Sequence, residues 1–119
     1  MKTRKLFSFT AASFAGLSSA LASSDYGPAV SRMITGCTKW YTSGYGHNFC
    51  VVHDMEGYYL GSISYLARCD VTASVHYCAN GVQDTSGDAP AGEISQLVSE
   101  SNYAWHATCW NRYSLGFEH

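Results

Sequence analysis

The chain has 119 residues, enough for one domain, and carries seven Lys or Arg against nine Asp or Glu. Residues 23–119 hold only four of those cations and all nine acids, a net charge of about −5. Nucleic-acid binding needs clustered cations to displace counterions from phosphates, and Arg32, Lys39, Arg68 and Arg112 stand singly, which excludes that class.

The chain opens on MKTRK, followed by the apolar stretch LFSFTAASFAGLSSALA. A basic start, an apolar run interrupted by Ser8, Ser13, Ser18 and Ser19, and a small-residue exit at Ala20-Leu21-Ala22 predict a signal peptide over 1–22 and not an anchoring span. The expected product starts near Ser23, is secreted or periplasmic, and has no membrane span after cleavage. Five cysteines in so short an exported chain favour disulfides, and no Cys-x-x-Cys pair marks a zinc knuckle. Cys37, Cys50, Cys69, Cys78 and Cys109 form an odd set with fifteen possible pairings, among which the spacing does not choose.

Asp25-Tyr26-Gly27-Pro28 reads as a helix start, with Val30, Met33, Ile34 and Cys37 at i, i+3, i+4 and i+7. The stretch from Thr38 to Asn48, rich in Gly, aromatics and His, has no clear period and reads as a loop. Cys50 to His53 is a short apolar run suited to a buried strand, ending in the polar cluster His53-Asp54-Met55-Glu56. Leu60, Ile63, Leu66 and Ala67 predict a helix over Tyr58–Arg68. From Val71 to Asn80 apolar and polar residues alternate, predicting a strand with one apolar face. The Gly- and Asp-rich segment to Gly92 reads as a surface insertion, Ile94–Val98 as a return strand, Ala104–Asn111 as a loop, and Ser114–Glu118 as a last strand. The chain ends inside that strand, which predicts a domain that continues further.

Five strings occur in order: His53-Asp54-Met55-Glu56-Gly57, Ala73-Ser74-Val75-His76-Tyr77, Ile94-Ser95-Gln96-Leu97-Val98, Ala104-Trp105-His106-Ala107 and Leu115-Gly116-Phe117-Glu118. Together they resemble the zinc-dependent N-acetylmuramoyl-L-alanine amidases of type 2, relatives of the peptidoglycan recognition proteins. The resemblance covers about Cys50 to His119 and implies an α/β fold, a mixed central sheet flanked by helices, with residues 23–119 as the N-terminal part of the domain and the C-terminal part absent. It implies hydrolysis of the amide between N-acetylmuramic acid and L-alanine in peptidoglycan or muropeptides by zinc-activated water.

Residue by residue, His53 matches the family's first zinc ligand, and Glu118 matches the carboxylate implied to act as general base. Trp105, His106 and Asn111 match a loop of the substrate cleft, and Tyr77, which follows the more structural His76 in the Ser-x-His-Tyr strand, is expected to bind substrate with them. A catalytic zinc needs three protein ligands and an open position. The remaining ligands and an oxyanion lysine are expected outside this sequence, so the 119 residues alone are expected to be inactive. Cys109, close to His106, is the best in-chain alternative ligand, and Asp54 and Glu56 are candidates to orient His53. A muropeptide-binding module that does not cut is the competing function, and a small disulfide-stapled structural protein is a third.

Overall fold

A computed structural model of the chain describes residues 23–42, 46–84 and 87–119. The signal peptide expected over 1–22 lies outside the described residues. The architecture is mixed α/β, as expected. Strands β1 (Val30–Ser31), β2 (Trp40–Thr42) and β3 (Phe49–His53) precede helix α1 (Tyr59–Leu66). Strands β4 (Tyr77–Ala79), β5 (Ile94–Gln96), β6 (Asn102–Ala104) and β7 (Ser114–Glu118) follow, with a 3-10 turn at Thr108–Trp110 between the last two.

Five strands form one sheet in the order β1-β5-β4-β7-β3, and β2 pairs with β6 in a separate ribbon. Only β4 and β5 run antiparallel within the larger sheet. Parallel neighbours cannot be joined by a tight turn. The chain therefore travels through α1, β4, β5 and β6 before β7 returns to lie between β4 and β3.

Helix α1 buries Tyr59, Ile63 and Leu66, spaced i, i+4 and i+7, so one stripe faces the sheet. They join Ile34, Val75, Cys78, Leu97, Val98 and Ala104 in a single core cluster. Both helix ends are secured from far along the chain, which offsets the orphan groups of a two-turn helix. At the start, Asp84 Oδ2 accepts the Tyr59 N–H at 2.5 Å. At the end, the ammonium of Lys39, only 2% exposed, donates to the carbonyls of Leu66 and Arg68. Burial lowers the pKa of that lysine, partly countered by Asp70. A disulfide between Cys37 and Cys69 fastens the same corner.

Four expectations give way. The strand over Cys50–His53 is not buried, because β3 lies at the edge of the sheet and leaves Val52 66% exposed. Val30–Cys37 is not a helix: the Arg32 and Ile34 N–H groups donate to the Gln96 and Leu97 carbonyls, each at 2.9 Å, so the segment runs beside β5 and its hydrogen bonds are spent there. The stretch 38–48 is not all loop, because Trp40–Thr42 pairs with Asn102–Ala104, inside a region with no period of its own. The strand expected over 71–80 shrinks to Tyr77–Ala79, and burial from Ser74 through Cys78 is continuous instead of alternating. That segment is central and covered on both sides, where a one-faced pattern has no meaning.

Candidate functional site

Strands β3 and β7 are parallel, so their C-terminal ends open on the same side, and His53 is the register partner of Glu118. Beside this pair lies a cleft of about 710 Å³. It is lined by residues 53–58, by Gly61, Ser62, Tyr65 and Leu66 of α1, and by Glu118. Asp54 and Glu56 line the same opening. Burial pushes the pKa of Glu118 above the ordinary carboxylate value, His53 draws it back down, and Asp54 adds to the rise. A carboxylate held this way has a stronger hold on a proton than a solvated one, which suits a general base.

His106 packs across Gly116 of β7 and meets His53, with 3.1 Å between His53 Nε2 and His106 Nδ1. The direction of that bond follows from the far side of the ring. His106 Nε2 lies 3.4 Å from the Ser114 carbonyl and 3.3 Å from Ser114 Oγ. The carbonyl can only accept, and the hydroxyl already gives its proton to the Trp110 carbonyl at 2.9 Å. His106 Nε2 therefore carries the proton, Nδ1 accepts, and His53 donates from Nε2. In the neutral ring of His53 this leaves Nδ1 as the lone-pair nitrogen. Burial, followed by the neighbouring His53 and His47, lowers the pKa of His106 against the bond to Ser114, so it stays neutral at physiological pH.

Other expected site residues take distinct places. Asn111 Oδ1 accepts the N–H groups of His106 and Ala107 at 3.0 and 2.6 Å, fixing the backbone that presents His106. Thr108 follows with φ 50°, a left-handed conformation uncommon for a β-branched residue, and it starts the turn that brings Asn111 back. The Trp105 N–H donates to Ser74 Oγ at 2.9 Å, and its ring lies against Tyr41, not in the cleft. Tyr77 is buried, donates to Glu100 at 2.6 Å, and packs on Phe117, so the structure does not bring it to His53 and Glu118.

His76 is fully buried and plays a structural part. Its Nδ1 accepts the Gly116 N–H at 2.9 Å, and its Nε2 donates to the Asn102 carbonyl at 3.0 Å. Burial lowers its pKa to about 4. His47 Nε2 lies 2.7 and 3.0 Å from the carbonyls of Glu100 and Asn102. Cys109 is an exposed free thiol on the 3-10 turn, and Cys50 and Cys78 are also unpaired as thiols.

The sequence reasoning missed Gly116 and Ser114. A Cβ on Gly116 would stand 2.5 Å from His106 Cγ, so only glycine admits the imidazole over the strand. A glycine inside a strand is itself the signal of such a close approach. Ser114, at the start of the same strand, carried no signal.

Zinc fits these residues in part. His53 offers a lone-pair nitrogen beside a carboxylate at the mouth of a cleft, which is chemistry a zinc site uses. Among the described residues no three His, Cys, Asp or Glu side chains come together, so they do not complete a catalytic ligand set.

Comparison with known proteins agrees with the geometry. The sequence profile of the family described as N-acetylmuramoyl-L-alanine amidase matches residues 43–119. The chain is 32% identical over 95 residues to N-acetylmuramoyl-L-alanine amidase A of Achromobacter lyticus, covering 80% of this chain and 49% of that protein. The crystal structure of AmpDH3 from Pseudomonas aeruginosa superposes with a TM-score of 0.53 at 29% identity, covering 65% of this chain and 35% of that one. The same protein in complex with anhydromuramic pentapeptide gives a TM-score of 0.52 at 29% identity over 65% and 34%. The chain thus spans about half the length of its curated relative and about a third of the solved one.

Proposed function

This chain belongs to the N-acetylmuramoyl-L-alanine amidase family, and from that premise we propose that the protein hydrolyses the amide between N-acetylmuramic acid and the L-alanine of the stem peptide. The observation that carries the reading is the pairing of His53 with Glu118 at the adjoining C-terminal ends of two parallel strands, both lining one cleft. That AmpDH3 has been captured with anhydromuramic pentapeptide supports a muropeptide as the ligand class.

In this reading His53 is one ligand of a zinc ion, and the others come from outside the described residues. Bound there, zinc supplies Lewis-acid polarisation of the amide and lowers the pKa of water. The remaining steps belong to the chain's own groups. Glu118 takes the proton of the attacking water and delivers it to the departing amine, a double duty that its raised pKa favours. His106, held by Ser114 and the Asn111-braced backbone, fixes the tautomer and orientation of His53. Tyr58, Tyr65 and Leu66 offer the peptide an apolar wall.

We also propose that residues 1–22 are an export signal and that the protein works outside the cytoplasm. The Cys37–Cys69 disulfide supports this, since such bonds persist in oxidising compartments. N-terminal sequencing should find a mature start near Ser23, and a retained Met1 on cytoplasmic material would overturn it.

The activity is tested in the whole protein by two substitutions. Glu118→Gln should keep its zinc and lose activity by about 10² to 10⁴, because the amide has the shape of the carboxylate but cannot take a proton. His53→Ala should lose zinc itself. Near-full hydrolysis by Glu118→Gln would remove Glu118 from the mechanism, and muropeptide binding with no hydrolysis by the native protein would make it a recognition module.

A further inference from the structure

The ribbon of β2 and β6 turns one face to the core and the other away from it. Trp40 and Ala104, which are register partners, pack into the core cluster. On the outward face Tyr41 pairs with Tyr103, and Trp105 follows two residues on, where a pleated chain returns to the same side. The Tyr41 ring centroid lies 5.1 Å from that of Tyr103 and 5.5 Å from that of Trp105, with planes tilted by 32° and 46°. Cross-strand aromatic pairs can stabilise a ribbon. Tyr41 nevertheless keeps 57% of its surface exposed, more than that role requires.

Tyr103 and Trp105 beside it are half-buried, so Tyr41 is the exposed ring of the cluster. Exposed aromatic rings take two common classes of polar ligand, nucleobases and sugar rings. Grooves that stack bases also track phosphates with cations. Here Lys39 is buried at the end of α1, Arg32 is paired with Glu93, Arg68 is paired with Asp70, and residues 23–119 carry a net charge of about −5. An uncharged pyranose makes no such demand. Its axial C–H groups present an apolar face to a π system.

Position selects the same ligand. Trp105 is bonded directly to His106, which reaches the opposite way toward His53. The sugar that bears the scissile amide is one unit of a polymer, so the polymer must leave the site past neighbouring surface. We propose that Tyr41, Tyr103 and Trp105 form a stacking subsite for the pyranose rings of a glycan strand, separate from the cleft that holds the peptide. This rests on the peptidoglycan reading of the site.

The test uses the full chain and a peptide-free tetramer of N-acetylglucosamine, with binding read from tryptophan fluorescence and calorimetry. The native protein should bind the tetramer. Tyr41→Ala should weaken binding about tenfold, Tyr41→Phe should preserve it, and the double variant Tyr41→Ala/Tyr103→Ala should abolish it, with unchanged thermal midpoints showing intact folds. Hydrolysis of a soluble muropeptide with one sugar should be the same in Tyr41→Ala as in the native protein, while release of peptide from intact cell-wall sacculi falls. Equal tetramer affinity in native and Tyr41→Ala protein, or no tetramer binding by the native protein, overturns the subsite. If no variant hydrolyses muropeptide but Tyr41-dependent tetramer binding persists, the amidase reading fails and the subsite stands.

Discussion

Replacing Gly116 by alanine tests the geometry of the site without touching a charged group. The added Cβ would lie 2.5 Å from His106 Cγ and 2.8 Å from Cδ2 and Nδ1, whereas such atoms settle at about 3.5 to 4.0 Å. The ring must therefore retreat by about 1 Å. Its bond to His53, now 3.1 Å, would open to about 4 Å and cease to be a hydrogen bond. Overpacking costs about 1–3 kcal/mol. Alanine recovers roughly 0.5–1 kcal/mol of the backbone entropy that glycine loses in a strand. The net loss should be about 1–2 kcal/mol, read as a lower urea midpoint at unchanged m. Nitrogen-15 spectra of the imidazoles should show His53 no longer fixed as the Nε2–H tautomer. An unchanged midpoint with unchanged tautomers would refute both the close packing of His106 on β7 and its hold on His53.

Two further outcomes follow from the packing around the site. His76 has its folded pKa near 4 against an ordinary 6.5, so between those values the unfolded state binds more protons and stability rises with pH. Its contribution is complete above pH 6.5 and is lost as the pH falls toward 4, so the stability of the native protein relative to His76→Gln should drop by about 2.5 kcal/mol from pH 7.5 to pH 4.5. A difference independent of pH would mean that the ring is not held neutral. Opening the Cys37–Cys69 bond, which spans 32 residues, by Cys69→Ser should cost about 3–4 kcal/mol in chemical denaturation. A loss under 1 kcal/mol would show that Lys39 alone secures the end of α1.

Local pattern was enough to place β3, α1 and β7, because each carries its own period or a dense β-branched run. Val30, Met33, Ile34 and Cys37 also carry a helical spacing, and it misleads, since only Ile34 among them is a buried core residue and the backbone finds its partners on β5. That competition is tertiary and leaves no mark in the segment. At the site, His53 and Glu118 were legible as members of ordered strings, but their meeting depends on the parallel register of β3 and β7. The same holds for His106: the Trp-His-Ala string placed it near substrate, while its bond to His53 depends on the bare backbone of Gly116. Tyr77 shows the reverse case, since its string matched but the pleat turned it toward Glu100.

The pairing of β3 with β7 also sets when the site can exist. His53 and Glu118 stand 65 residues apart, and closing a loop of that length costs about 3.7 kcal/mol of chain entropy before any contact repays it. Contacts of such separation form slowly and late relative to local ones. Helix α1 and the neighbouring β4–β5 pair can form earlier, yet neither creates any part of the pair. A folding chain therefore holds its imidazole and its carboxylate apart until β7 has been made and inserted beside β4.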